Sequence, residues 1–156
     1  MRCNYNGYKE VIFMMQISSR FTVAIHILAA LEISNDVCTS EVIAGSIQNN
    51  PVVVRRIIGM LKKAELVDVN SGGGGAYLLK PVEDITLFDV YKAVDVVEDE
   101  KLFQIHENTN QECIIGANIQ DVLMLMLPKA QSAMEEVLKS YTMADIVAGI
   151  LEKKLN

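Results

Sequence analysis

The sequence predicts a mainly α-helical protein with a small β-hairpin, built as a winged helix-turn-helix domain and a long C-terminal dimerisation helix. A capped basic segment over residues 50–63 leads directly into two short apolar segments around a glycine-rich tip. The chain is 51% hydrophobic but only 6% aromatic, so Leu, Ile, Val and Met must fill the core, which suits helix packing. A Leu- and Met-rich segment near the C-terminus has the spacing of a long helix.

The length of 156 residues indicates one domain, or one domain with a long appendage. Residues 1–16 lack the layout of a signal peptide, and no apolar run is long enough to span a bilayer. We therefore expect a cytoplasmic protein without a membrane partner. The three cysteines, Cys3, Cys38 and Cys113, are too few and too scattered for a disulfide framework and are expected to be free thiols.

The N-terminal part divides into an extension and a winged-helix domain. Residues 1–15 show no clear period, which predicts a flexible extension, and whether residues 1–14 belong to the native protein is left open. The winged-helix domain is predicted over residues 16–94. Its first helix is expected to begin at Ser18 or Ser19, where apolar residues start to recur on one face. These are Phe21, Ala24, Ile25, Leu28, Ala29 and Ile33.

The next two helices form the helix-turn-helix. Thr39 or Ser40 caps a short helix, which a turn at residues 48–49 ends. Asn50 is a favourable N-cap, and Pro51 fits the first position of the basic helix that follows. Helical spacing predicts that the basic helix buries Val53, Val54, Ile57, Ile58 and Leu61.

The basic helix differs in charge from the rest of the chain. A formal net charge of -6 argues weakly against nucleic acid, because phosphate contacts need Lys and Arg. Nine carboxylates, however, fall between residues 82 and 113 against two lysines, whereas the basic helix has four positive charges and no acid. An interaction surface depends on its local charge, which here favours a basic patch. Its members are Arg55, Arg56, Lys62 and Lys63.

Two interpretations of the basic helix and its hairpin stay open. Arg55 and Arg56 either contact phosphates and guanine edges or form an ordinary solvated face, and the adjoining hairpin favours the first. Strands are predicted at residues 66–69 and 77–79. The glycines between them lack the Lys-Ser or Lys-Thr pair of a phosphate-binding loop. They form either a plain turn or a wing tip whose backbone can approach a DNA groove.

Thr86 is expected to cap a fourth helix over residues 87–94, and an acidic loop is predicted over residues 95–117. In this loop His106 and Cys113 are a possible sensor. A metal site needs three or four ligands, and a redox-sensing thiol is favoured by positive neighbours, whereas these neighbours are negative. An ordinary free thiol is the favoured interpretation. A thiol enzyme is weaker still, because no group that would orient a base is visible.

The C-terminal unit, residues 118–156, is predicted to hold a long helix over residues 118–140 and a last helix capped by Thr142 and Asp145. Pro128 predicts a kink or a local break. The apolar stripe of the long helix covers either its own core or a second chain. Dimerisation is favoured, because the preceding domain has enough helices to close itself. The residues predicted at the interface are Val122, Leu123, Met126, Ala130, Ala133, Met134 and Val137.

From about residue 16 to the C-terminus, the chain resembles the Rrf2 family of bacterial transcriptional regulators. The resemblance rests on several short motifs together. They are Ser19-Arg20-Phe21 with Ala24, Ser40-Glu41 with Ile43-Ala44, Leu61, Ala64, Leu66-Val67, Gly75-Ala76-Tyr77-Leu78, Asp84-Ile85-Thr86-Leu87, Asp89-Val90 and Ala93-Val94. Residues 105–108 and 113–120 are most similar to the YwnA-like branch of the family.

The resemblance implies a homodimer whose winged-helix domains bind double-stranded DNA from a crossed pair of long helices. We interpret the chain as a sequence-specific regulator, a repressor at a palindromic operator, controlled by an unknown effector and without catalysis. The residues expected to bind DNA are Arg20, Ser40, Asn50, Pro51, Val52, Arg55, Arg56, Lys62, Ser71, Gly73 and Gly74.

The chain departs from the family pattern at two places. Cluster-binding members carry three cysteines before the long helix, where this chain has only Cys113, so neither an iron–sulfur cluster nor another cofactor is expected. Many members have an arginine at the wing, where this chain has Ser71, and Ala76 replaces a glycine. Two alternatives follow: a winged-helix protein-interaction module without DNA binding, and a thiol-based redox sensor acting through Cys113.

Overall fold

The computed structural model describes the backbone of residues 8–34, 36–94, 105 and 108–154, and the side chains from residue 19 onward within these ranges. The fold is mainly helical with one two-stranded hairpin, which confirms the predicted class. In chain order the elements are α1 (Tyr8–Ile33), α2 (Ser40–Ile47), α3 (Pro51–Lys63), β1 (Val67–Val69), β2 (Ala76–Leu78), a 3-10 turn (Val82–Asp84), α4 (Leu87–Val94), α5 (Ile114–Ser140) and α6 (Met143–Lys154).

The first helix begins earlier than predicted. It starts at Tyr8, about three turns before Ser18 or Ser19. The segment lacks a one-sided apolar period, but from Tyr8 to Ser18 it contains neither glycine nor proline, and Lys, Glu, Met and Gln are all good helix formers. Propensity can therefore sustain the helix where periodicity gave no signal. Residues 1–7 of the predicted extension lie outside the described residues.

The core lies where α1, α2, α3 and α4 meet. Ile27, Leu28, Ile43 and Leu61 are at most 1% exposed, and each contributes about 1.5–3 kcal/mol by its burial. The predicted inward face of α3 is confirmed for Val54, Ile57, Ile58 and Leu61. It is wrong for Val53, which is 39% exposed. Val53 lies about 100° around the helix from Val54 and so falls off the buried side.

The predicted helix caps are present. Asn50 accepts a hydrogen bond from the backbone N–H of Val52 through Oδ1 at 2.9 Å, and Thr39 caps α2. Thr86 and Asp89 form a reciprocal capping box: Asp89 N–H donates to Thr86 Oγ1 at 3.1 Å, and Thr86 N–H donates to Asp89 Oδ2 at 2.9 Å. Asp145 likewise accepts from the Thr142 N–H at 2.7 Å at the start of α6. These local signals set where four helices begin.

The hairpin and α5 differ from prediction by small shifts. The strands pair antiparallel with Val67 opposite Leu78 and Val69 opposite Ala76. β1 begins one residue later than predicted and ends where predicted, and β2 lies one residue before its predicted position. α5 begins at Ile114, four residues earlier than predicted, and the local break expected at Pro128 is wrong, since the helix continues to Ser140. Proline removes one N–H donor, and the flanking hydrogen bonds of a long helix can hold it together.

Candidate nucleic-acid interface

The basic residues of α3 form two pairs on neighbouring flanks of the helix. Arg55 and Lys62 are seven residues apart, about two turns, and share one flank. Arg56 and Lys63 follow one position later and share the next flank. All four residues are exposed, while the opposite side of α3 is buried. The outer surface of α3 is therefore basic.

The first flank is charge-compensated by acids from neighbouring elements. Arg55 Nη2 lies 2.8 Å from Glu41 Oε1, which belongs to α2. Lys62 Nζ lies 2.5 Å from Asp68 Oδ1 on β1. The hydrogen bond from Lys62, followed by one from the backbone of Val69, lowers the pKa of Asp68 below its ordinary value. Both pairs are well exposed, so they contribute little to stability.

The second flank is not compensated in this way. Within the part of the chain that the structure describes, no carboxylate forms an ion pair with Arg56 or Lys63. Both side chains face solvent. A cation without an acidic partner can neutralise a phosphate and release its counterion. Arg56 and Lys63 therefore carry the net positive charge of this surface.

A groove of about 390 Å³ runs between α2, α3 and the hairpin. Glu41, Arg55 and Lys62 contribute charged side chains to it, and Gly59 of α3 and Gly73 of the hairpin contribute bare backbone. A Cβ added at Gly59 would meet no atom within 4 Å, so the fold does not require a glycine there. The bare backbone leaves room for a close approach by a ligand.

The hairpin is anchored to the segment before α2. Ala76 N–H donates to the backbone carbonyl of Cys38 at 3.0 Å, and Asn70 N–H donates to the Gly75 carbonyl at 2.9 Å. Gly75 itself is buried with φ +74°, in the left-handed region that favours glycine. The wing therefore has a defined position relative to α2, although Ser71, Gly73 and Gly74 at its tip are exposed.

We expect Gly75→Ala to destabilise the protein and displace the wing. A Cβ at this position would lie 2.8 Å from the Cys38 carbonyl oxygen, in addition to the strain of the left-handed backbone. The expected loss is about 2 kcal/mol, or a fall in Tm of roughly 4–8 °C. Gly72→Ala is the matched control, because its φ is +81° but no atom lies within 4 Å of an added Cβ. Equal losses in both variants, measured by thermal unfolding, would show that the Cys38 contact is unimportant.

The remaining residues expected to bind DNA lie at the edges of this surface. Arg20 on α1 and Ser40 at the start of α2 are partly exposed. Asn50 uses its side chain as the α3 cap, Pro51 is the first residue of α3, and Val52 is 63% exposed. The role of each of these residues in DNA binding stays a prediction.

Cys113 has a different environment from the one its sequence neighbours suggested. It is the N-cap residue of α5 and is exposed. The backbone N–H groups of Gly116 and then Ile115 lower the pKa of its thiol, although the sulfur does not make a full capping hydrogen bond. The charges of the neighbouring residues do not predict this lowered pKa, because it comes from backbone amides at the start of a helix. His106 lies outside the described residues.

Cys113 should be alkylated much faster than Cys38. Cys38 is only 5% exposed and its thiol points at the carbonyls of Ala30 and Asp36, 3.7 and 3.6 Å away. With iodoacetamide followed by peptide mass spectrometry, we expect alkylation to be at least ~10-fold faster at Cys113 than at Cys38. The pH at which the Cys113 rate is half-maximal should lie below the ordinary pKa of a free cysteine, about 8.5. A half-maximal pH at or above that value in the Cys38→Ser background would contradict the lowered pKa.

The long helix α5 has no buried residue, although it contacts α4 and places Lys139 Nζ 4.8 Å from the centre of the Phe88 ring. The predicted dimer residues divide into two groups. Leu123 and Met134 are partly buried. The others are exposed and lie along one side of the helix, which we term the exposed stripe: Val122, Met126, Ala130, Ala133 and Val137. Val122, Met126 and Val137 are 45%, 62% and 57% exposed.

The described residues contain neither of two further features. No group of three His, Cys, Asp or Glu side chains is placed to hold a metal ion. None of the helices in that part of the chain combines the length and apolar character needed to cross a membrane.

Glu41, Asp68 and Gly75 are the residues at this surface whose roles sequence reasoning missed. Glu41 is 14 positions from Arg55, and only the packing of α2 on α3 brings the two together. Asp68 and Gly75 depend in the same way on how the hairpin folds back. An acid in the first turn of α2 was a visible signal, but it is equally typical of an ordinary helix start.

The sequence of this chain is similar to those of transcriptional regulators. Residues 17–149 match the Rrf2 family model, described as an iron-dependent transcriptional regulator. The chain is 44% identical over 131 residues to YwnA of Bacillus subtilis strain 168, named as a candidate HTH-type transcriptional regulator. That match covers 84% of this chain and 96% of YwnA.

Similar solved structures also include DNA-binding and regulatory proteins. A crystal structure described as a candidate DNA-binding protein is 38% identical, with a TM-score of 0.67, and covers 81% of this chain and 97% of its own. A candidate transcriptional regulator from Lactobacillus plantarum is 26% identical, with a TM-score of 0.69, and covers 84% of this chain and 89% of its own.

Proposed function

From the premise that this chain belongs to the Rrf2 family of transcriptional regulators, we propose that it is a homodimeric repressor that binds a palindromic DNA operator. In this proposal α3 enters the major groove, and the hairpin acts as a wing beside the neighbouring groove. Catalysis plays no part in it.

The observation that carries the proposal is the basic outer surface of α3 in a chain of net charge -6. Arg56 and Lys63 give this surface charge that is not cancelled by a neighbouring acid in the described residues. The wing is anchored beside it through the Cys38 carbonyl. A fixed cationic helix next to a fixed wing is the arrangement that winged-helix proteins use on duplex DNA.

The exposed stripe of α5 supports the homodimer. A soluble monomer rarely leaves a contiguous apolar helix face uncovered, and a second copy of the same helix would cover it symmetrically. A two-fold dimer carries two copies of α3, and two copies of α3 call for two half-sites in the DNA. The palindromic operator follows from that symmetry.

We further propose that the protein works without an iron–sulfur cluster, although the family description names iron. Cluster ligation takes about four ligands, mostly cysteine thiolates. Cys113 is the only cysteine after Cys38, and in the described residues it has no companion ligands that would complete a site. These residues do not fit an iron–sulfur cluster, so in this proposal the protein responds to a signal of a different chemistry.

A direct binding experiment tests the proposal. Purified, reduced protein would be titrated against labelled DNA from the region upstream of its own gene at several salt concentrations, with unrelated DNA as competitor. Tight, salt-sensitive binding that resists the competitor is expected. Weak binding that is equal on both DNAs would contradict sequence-specific regulation.

The second candidate function is a protein-interaction module without DNA binding. The ion pairs of Arg55 with Glu41 and Lys62 with Asp68 favour it, because they cancel half of the positive charge of α3. The serine at position 71, where many family members have arginine, favours it too. Complete absence of salt-dependent DNA affinity would support this candidate.

A thiol-based redox sensor is a variant of the first function. The exposed Cys113 thiol, with its lowered pKa at the start of α5, is the observation that favours it. Oxidation there would alter the beginning of the proposed dimerisation helix. Unchanged DNA binding and unchanged oxidant response in Cys113→Ser would eliminate the sensor.

A further inference from the structure

We propose that Glu41 is a specificity-determining residue: by pairing with Arg55 it withholds that guanidinium from phosphates and presents it to a base edge. This inference rests on the proposed DNA-binding function and deepens it. It assigns different tasks to two adjacent arginines that the sequence treats alike.

The pair lies beside the groove of the proposed interface. Glu41 lies in the first turn of α2 and Arg55 in the second turn of α3, and Nη2 and Oε1 are 2.8 Å apart. Both side chains border the groove between α2, α3 and the wing. Their backbones are held by buried neighbours, Ile43 and Val54, which are at most 1% exposed. The backbone at both residues is therefore held in place, while their side-chain ends are exposed to solvent.

The side chains themselves are 60% and 63% exposed, so the pair is not required for packing. An exposed pair of this kind adds little to fold stability. Holding the Arg55 side chain in one place nevertheless removes part of the entropy that it would lose on binding a ligand. The structural benefit is small, and the benefit for recognition is larger.

Electrostatics then decides which DNA group Arg55 can bind. The pair of guanidinium and carboxylate has no net charge, so it attracts a phosphate less than an unpaired arginine does, and a phosphate in the groove would also meet the Glu41 carboxylate. The O6 and N7 atoms of guanine are neutral acceptors and meet a much smaller repulsion. Guanidinium has five N–H donors, and a single contact from Nη2 to Glu41 leaves donors for a base edge.

Arg56 provides the contrast within the same turn. No described carboxylate pairs with it, so it retains its full charge for a phosphate contact. Phosphate contacts position a protein on DNA, and base contacts select the sequence. Glu41 thus separates positioning by Arg56 from selection by Arg55.

The test measures DNA binding by fluorescence anisotropy over a salt series. It compares wild type, Glu41→Gln, Arg55→Gln and the double variant. Each protein is titrated with two DNAs, the fragment upstream of its own gene and a shuffled duplex. Glu41→Gln frees the Arg55 charge. We expect tighter binding to shuffled DNA, a salt slope steeper by about 0.9 for one added phosphate contact, and a roughly tenfold lower ratio of specific to shuffled affinity. Glu152→Gln on α6 removes the same charge far along the chain and should match wild type.

The double variant shows whether Glu41 acts through Arg55. If Glu41→Gln has no effect once Arg55 is glutamine, the coupling supports the proposal. If it tightens both DNAs equally in both backgrounds, Glu41 is only a repulsive charge and the proposal is overturned. Unchanged affinities of Glu41→Gln for both DNAs overturn it too. If wild type binds its upstream fragment specifically in that case, the proposed DNA-binding function still stands. Absence of any salt-sensitive wild-type binding overturns both.

Discussion

Replacing Met126 with glutamate should convert the proposed dimer to a monomer and reduce affinity for the proposed operator by at least ~100-fold, since a palindromic site requires both half-sites to be bound together. Met126 is 62% exposed and is the second residue of the exposed stripe of α5. In a two-fold dimer the same residue occurs on both sides of the interface, so two carboxylates would be buried against apolar surface without partners. Light scattering should report the 17.3 kDa chain mass instead of twice that value.

Met124→Glu is the matched control. Met124 is 59% exposed on the same helix but lies about 160° around it from Met126, beside Leu127 and Gln131. The control introduces the same charge and the same loss of methionine, and we expect it to remain dimeric. Dissociation of both variants to the same degree, or of neither, would contradict an interface along the exposed stripe. Helical circular dichroism should be unchanged in both.

The parts of the fold that the sequence predicted well are those with short-range causes. The box of Thr86 and Asp89 and the cap by Asn50 depend on residues two or three positions apart, and both helices begin where these residues predict. The first ten residues of α1 and the start of α5 were missed because they lack a one-sided apolar period. Val53 was misplaced because two adjacent valines offer the same hydrophobicity to different sides of α3.

The sequence predicted which basic residues form the candidate site but not which of them form ion pairs. The charge pattern located Arg55, Arg56 and Lys62 on one helix. It could not show that two of them have acidic partners on other elements, because such contacts arise from the packing of α2 and of the hairpin on α3. The same limit applies to Cys113, where the backbone amides of the following turn lower the pKa of the thiol and outweigh the opposing effect of desolvation.

Substitution of Arg55 and Arg56 by alanine should impair DNA binding in two distinguishable ways. Arg56→Ala removes an uncompensated charge, so affinity should fall on specific and unrelated DNA alike, and the salt slope should decrease by about one unit. Arg55→Ala removes a side chain already paired with Glu41, so it should mainly reduce discrimination, by about 1–3 kcal/mol at one base pair. The double variant should lose both properties.

Folding is not expected to confound these measurements. Both arginines are exposed, alanine is the best helix former, and surface changes of this kind usually alter stability by less than about 0.5 kcal/mol. Lys153→Ala on α6 provides a control for the loss of one positive charge away from α3. Affinity and salt slope should be measured together on the upstream fragment and on unrelated DNA, with Tm as the check on folding.

The two arginines occupy adjacent positions on one helix, so any difference between them must come from their surroundings. An equal decrease in salt slope for both variants would mean that DNA displaces Glu41 and that Arg55 also binds phosphate. Unchanged binding in both single variants and in the double variant would mean that α3 is not the DNA-binding element. A slope change confined to Arg56→Ala, with lost discrimination confined to Arg55→Ala, would tie sequence selection to the contact between α2 and α3.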